Sequence, residues 1–90
     1  MSEIIKHAAA GTLESSDVYV EIEPNEAGIA VELESVVMEQ FGASIRCVVQ
    51  EVLEECGVEK ALVRISDRGA LECVIRARVE TAVRRGKGEA

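Results

Sequence analysis

Aromatic side chains are nearly missing from these 90 residues: there is no tryptophan, one tyrosine (Tyr19) and one phenylalanine (Phe41). The core therefore has to be aliphatic, packed from Val, Ile, Leu and Ala. Positive charge is scarce too, with 10 Lys and Arg against 17 Asp and Glu, for a formal net charge of −7. An acidic body repels phosphate backbones and anionic lipid, which argues against nucleic-acid or membrane-surface partners. No apolar run approaches the roughly 18–20 residues that a membrane span needs. The opening "MSEIIKHAAAG" carries an acid early and has no sustained apolar core, so no signal peptide is expected and the cytoplasm is the expected location.

The residues of catalysis are thin as well. The one histidine, His7, has no evident partner and reads as a surface side chain. There is no Ser-His-Asp set, no cluster with metal-ligand spacing and no glycine-rich phosphate loop. Paired acids occur (Glu14/Asp17, Glu32/Glu34, Glu54/Glu55), but a catalytic pair needs a cleft that pushes one pKa away from the other. Cys47, Cys56 and Cys73 are odd in number and match no zinc or redox spacing. In a reducing compartment they are expected to be small buried hydrophobes. The chain reads as non-catalytic.

What is present is the composition of a folded protein, 48% apolar and 30% charged, at a length that suits one domain over residues 1–90. Five of the ten basic residues (Arg76, Arg78, Arg84, Arg85, Lys87) fall in the last fifteen positions, with a basic tail expected from about 84 to 90. Ala8 to Ala10 could begin a short strand leading to Leu13. Val18, Val20 and Ile22 alternate with Tyr19 and Glu21, the period-2 pattern of a half-buried strand. "EPNEAG" supplies turn residues, and Ile29, Val31 and Leu33 alternate again, so the two runs predict an antiparallel hairpin.

Phe41, Ile45, Val48, Val49, Val52, Leu53 and Cys56 recur at helical steps and form one apolar stripe, stopped by Gly57. This helix is capped near Gly42 or Ser44, or else entered through a short turn from Ser35. Ala61, Val63 and Ile65 make a further strand, ended by "DRG". Residues 70–83 fit both periods, and their length with the Ala, Arg and Glu content favours helix. The predicted fold is α+β: a small, mostly antiparallel sheet, a hairpin plus a further strand, covered by two helices in the order β-β-β-α-β-α.

The octet "GTLESSDV" (Gly11 to Val18) is unlike a core segment. If Val18, Val20 and Ile22 face inward, Leu13 falls on the opposite face of an uninterrupted strand, and burying both sets requires a bulge or turn between them. Ser15, Ser16 and Asp17 sit at that break, so at least one hydroxyl should be exposed, with Gly11 adding freedom upstream. Two readings follow: a plain Ser/Asp turn, or a hydroxyl that a second enzyme modifies.

Three segments, "AGTLESSDV", "VMEQFGASIR" and above all "DRGALECVIRARVETA", resemble the acyl carrier (gamma) subunit of citrate lyase, in order from about Ala9 to Val83. The resemblance implies a covalent prosthetic group, 2'-(5''-phosphoribosyl)-3'-dephospho-coenzyme A, joined by a phosphodiester to the serine after Thr-Leu-Glu, here Ser15. The next position in that family takes Ser or Gly, which makes Ser16 the weaker candidate. Glu72 stands where the family's "ALDC" pattern has Asp. The implied role is to bear acetyl and citryl thioesters while citrate is cleaved to acetate and oxaloacetate. The implied partners are an acyl-transferase (alpha) and a lyase (beta) subunit, a prosthetic-group transferase and an acetylating ligase. Arg76 and Arg78 are candidates for docking or phosphate contact, since guanidinium pairs with phosphate and carboxylate. The alternatives are the related carrier of malonate decarboxylase and a non-carrier interaction module. No metal is expected.

Overall fold

In a computed structural model, which describes residues 3–89, the alternating apolar runs become strands and the stripes become helices. The order is β1 (Ala8–Gly11), β2 (Val18–Pro24), β3 (Ile29–Ser35), α1 (Met38–Glu55), β4 (Ala61–Asp67) and α2 (Glu72–Gly86). The β-β-β-α-β-α order and the α+β class agree with the sequence pattern. Residues 72–86 take the helical option, with Ile75, Val79, Ala82 and Val83 buried on one face. Arg84 and Arg85 therefore belong to the last turn of α2, and Ala90 lies outside the described residues.

The hairpin between β2 and β3 does not form. The sheet order is β1-β2-β4-β3, with β2 antiparallel to both β1 and β4, and β3 parallel to β4. The "EPNEAG" turn does reverse the chain, but it steps over one strand position, and Gly28 is tied across to β4 through its carbonyl and the Ala61 N–H (3.1 Å). Charge explains the insertion. Glu21, Glu23, Glu32 and Glu34 are the acidic outward residues of β2 and β3, and a direct hairpin would set like charges side by side. With β4 between them, Arg64 lies opposite both Glu21 and Glu32. It pairs with Glu32 at 3.2 Å and Glu23 at 3.5 Å. Apolarity points the same way, because Ala61, Val63 and Ile65 are fully buried on β4 while β3 is half-exposed throughout, as an edge should be. The parallel step is made by α1, whose length allows the crossover a parallel pair needs.

Both helices pack on one face of the sheet, over Val18, Val20, Ile22, Val63 and Ile65. No side-chain oxygen caps α1 directly. It is entered through a short turn from Ser35, whose hydroxyl accepts the Val37 N–H (3.1 Å) and donates to buried Asp67 (2.8 Å). Gly57, at φ +72°, ends it. Val58 N–H reaches the Leu53 carbonyl and Gly57 N–H the Glu54 carbonyl, a Schellman cap in which the Val58 and Leu53 side chains are both buried.

Two expectations about burial fail. Cys47 and Cys73 are exposed and Cys56 is only half-buried, because Cys47 and Cys73 fall out of step with the inward stripes of α1 and α2. Partial burial pushes the Cys56 thiol above its ordinary value. Phe41, at the head of the α1 stripe, is 53% exposed, on the wall of an open groove beside the β4–α2 connection.

Candidate functional site

The β1–β2 connection, Thr12 to Asp17, lies at the end of the sheet where β4 hands over to α2. Strand β1 stops at Gly11, whose φ is +92°. Leu13 is 53% exposed, so it is not buried with Val18, Val20 and Ile22. The alternation breaks because the left-handed glycine turns the chain out of the sheet. The Glu14 carbonyl then accepts the Asp17 N–H (3.1 Å), closing a four-residue turn with Ser15 and Ser16 at its corners. Both serines are exposed. Ser16 has φ +67°, the one non-glycine residue with positive φ among those described, a conformation that costs roughly 1–2 kcal/mol for a residue with a Cβ. The strain is held in place from the β4–α2 connection: Ser16 N–H donates to the Arg68 carbonyl (2.8 Å) and Arg68 N–H donates to the Asp17 carbonyl (2.9 Å).

Asp17 is the centre of this network. Its Oδ1 accepts from Val18 N–H (2.7 Å) and Arg78 Nε (3.2 Å), and its Oδ2 from the Thr12 hydroxyl (2.7 Å) and Arg78 Nη2 (3.1 Å). The Thr12 hydroxyl, the Val18 N–H and the Arg78 guanidinium, in that order, favour the charged form and hold the carboxyl at about 2 against its ordinary 3.8. A carboxyl depressed by folding contributes stability that is complete above 3.8 and is lost as the pH falls to about 2. The stability advantage of the wild type over Asp17→Asn is therefore expected to shrink through that window in acid titrations followed by circular dichroism. An advantage that stays constant down to about pH 2 would contradict the assignment.

The sequence pointed to Ser15 and Ser16 but missed Asp17 as their support, and nothing local could reveal a pair 61 positions apart. Both arginines singled out on α2 are engaged within the chain. Arg78 crosses to Asp17, and Arg76 joins α2 to α1 by pairing with Glu51 and, at 3.4 Å, Glu72. His7 sits at the surface, 3.0 Å from Glu21. A groove of about 420 Å³ opens between α1 and the β4–α2 connection, with Phe41, Ile45, Leu71 and Ile75 among its walls. Asp67, at its base, has its carboxylate taken up by the Ser35 hydroxyl and the Ala70 N–H. The chemistry on offer at this end of the molecule is a presented hydroxyl.

The family model for the malonate decarboxylase delta subunit (MdcD) matches residues 5–86. The citrate lyase acyl carrier protein of Escherichia fergusonii is 62% identical over 84 residues, covering 92% of this chain and 87% of its own. Citrate lyase acyl carrier protein 2 of Salmonella paratyphi A is 60% identical with the same coverage, and the carrier of Rhodopseudomonas palustris is 48% identical over 97% of this chain and 90% of its own. The chain belongs to the citrate lyase acyl carrier protein family. Like other members it is a carrier and not a catalyst. A chain of a Pseudomonas malonate decarboxylase hetero-tetramer, solved in complex with malonate, shares the fold, with a TM-score of 0.73 over 89% of this chain and 82% of that one, at 24% identity. Glycine would adopt φ +67° at position 16 without the cost that the Ser16 Cβ carries.

Proposed function

We propose that the chain is the acyl carrier subunit of citrate lyase, in the cytoplasm, with Ser15 as the anchor of a covalently held 2'-(5''-phosphoribosyl)-3'-dephospho-coenzyme A. The observation that carries this reading is the exposed corner hydroxyl of Ser15 on a braced turn, in a chain up to 62% identical to citrate lyase acyl carrier proteins. The residues fit such a group. A phosphodiester anchor needs one accessible hydroxyl and open solvent around an added anion, and the exposed turn offers both. When bound, the group supplies a terminal thiol, and so the thioester activation that makes an acyl group electrophilic and its neighbouring carbon more acidic.

The chain's own residues do the rest by placement. Anchoring at a braced corner keeps the reacting end at high effective concentration near two partner sites, in the acyl-transferase (alpha) and lyase (beta) subunits. Glu14, exposed on the loop, keeps it solvated and is the acid placed to meet the prosthetic-group transferase, because Asp17 is already engaged within the chain. The acetylating ligase would act on the same end. Arg76 is the docking candidate of the α2 pair, its guanidinium at the surface between the helices.

A second reading, the carrier of malonate decarboxylase, is favoured by the family model and by the shared fold. The two differ in the subunits that co-purify with the tagged chain. One measurement tests what they share: intact mass after co-expression with the attachment enzymes should show a single added prosthetic group. A chain that stays at its unmodified mass would refute both and leave an interaction module.

A further inference from the structure

Arg78 reaches from α2 to the loop over a glycine. A Cβ built on Gly11 would lie 3.3 Å from Arg78 Cδ, so the aliphatic stem runs along the backbone just where β1 ends. Beyond it the guanidinium meets Asp17 edge-on, with Nε on one carboxylate oxygen and Nη2 on the other. The forked arrangement fixes orientation as well as distance. Thr12 and Val18 N–H take the remaining positions on the same two oxygens. The backbone of Asp17 closes the turn at Glu14 and receives Arg68 N–H. The Ser15–Ser16 corner is thus tied through the Asp17 carboxylate to helix α2, beside the backbone bonds that Ser16 and Asp17 make with Arg68.

We infer that Arg78 is a positioning residue for prosthetic-group attachment, holding the Ser15 turn through its forked pair with Asp17 and so presenting one hydroxyl in one direction to the modifying enzyme. This rests on the carrier reading above. It gives Arg78 an inward role in place of contact with a partner or with the phosphates of the group. It also gives the strained corner a purpose. A left-handed Ser16 persists only where the surroundings over-determine it, and beside the Ser16–Arg68 backbone bond the Asp17–Arg78 pair adds to that determination from an element that is itself packed into the core by Val79 and Ala82.

The test uses the full chain with Arg78→Gln, Arg78→Lys, Asp17→Asn and the Arg78→Gln/Asp17→Asn double variant. Arg78→Gln keeps the stem over Gly11 and removes the charge and the fork, and the pair is near enough to the surface (Arg78 is 41% exposed) for the fold to survive. The kcat/KM of attachment is expected to fall about 10- to 100-fold, the usual effect of a displaced reacting group, mainly through kcat. Arg78→Lys, with charge but no fork, should recover only part. The double variant should be no worse than either single one, because both remove the same device.

Amide hydrogen exchange gives a readout that does not depend on attachment: Ser16 and Asp17 N–H should exchange faster in Arg78→Gln, with Val79 and Ala82 unchanged. Unaltered attachment kinetics in Arg78→Gln would overturn the inference. So would unaltered exchange at Ser16. Multiplying losses in the double variant would overturn it as well, by showing that Arg78 acts directly on the enzyme or the incoming group. A wild type that accepts no group would refute the carrier reading instead, and the exchange data would still decide whether Arg78 holds the turn.

Discussion

Co-expressed with the attachment enzymes, the Ser15→Ala chain should remain at its unmodified mass while the Ser16→Gly chain gains the full prosthetic group. The expected contrast is all or none, because the reaction consumes one particular hydroxyl. Two arguments favour Ser15. It is the serine that directly follows Thr12-Leu13-Glu14, the anchor position that the resemblance to citrate lyase acyl carriers implies. Ser16 also sits less freely: its backbone is left-handed and its N–H is bound to the Arg68 carbonyl at 2.8 Å, so its side-chain direction is dictated by the brace. Ser16→Gly is the better partner variant than Ser16→Ala, since glycine keeps the positive φ that the turn requires and removes the strain of a Cβ. Its thermal stability should equal or exceed that of the wild type, which separates loss of a hydroxyl from loss of the turn. Adduct on Ser15→Ala and none on Ser16→Gly, read by intact mass and peptide mapping, would transfer the anchor to Ser16.

Gly11→Ala should be among the most damaging single-methyl changes the chain can suffer. A Cβ there would lie 1.8 Å from the Val18 carbonyl oxygen, and the backbone stands at φ +92°. The obstructing atom is backbone, so relief requires the β1–β2 hairpin to separate at the pairing of Gly11 with Tyr19. Left-handed strain alone costs about 1–3 kcal/mol. With the clash added, a loss of at least about 2 kcal/mol is expected, which in a domain of this size lowers Tm by roughly 8–16 °C. Gly28→Ala is the internal control. Its φ is +116°, but nothing lies within 4 Å of the added methyl, so only the strain remains and the loss should be clearly smaller. Urea and thermal unfolding of both variants decide the matter, and equal losses would mean that the contact with Val18 carries no weight. Because the same methyl would also lie against the stem of Arg78, Gly11→Ala should slow attachment even at temperatures where the chain is folded.

Legibility from sequence divided along the range of the forces involved. Strand parity in Val18, Val20 and Ile22, the α1 stripe from Ile45 to Leu53 and the stop at Gly57 are properties of neighbouring residues, and each is found in the structure as the pattern implied. The helical choice for residues 72–86 was also local, resting on composition where periodicity was ambiguous. The candidate site came from the octet and its likeness to a family, and the structure leaves both hydroxyls of that octet exposed.

The arrangement of those pieces was another matter. Asn25 to Gly28 encode a reversal of direction but not the identity of the neighbouring strand. Placing β4 between β2 and β3 depended on Arg64 meeting acids on both sides and on Ala61, Val63 and Ile65 needing the most buried lane. The brace under Ser15 depended on Asp17 meeting Arg78 from 61 positions away. Periodicity records which face of a segment avoids water, and a chain of 90 residues states that plainly. Which charged groups end up within hydrogen-bonding distance is decided only when whole elements have been set against one another, and it is there that this protein acquired the support for its exposed serine.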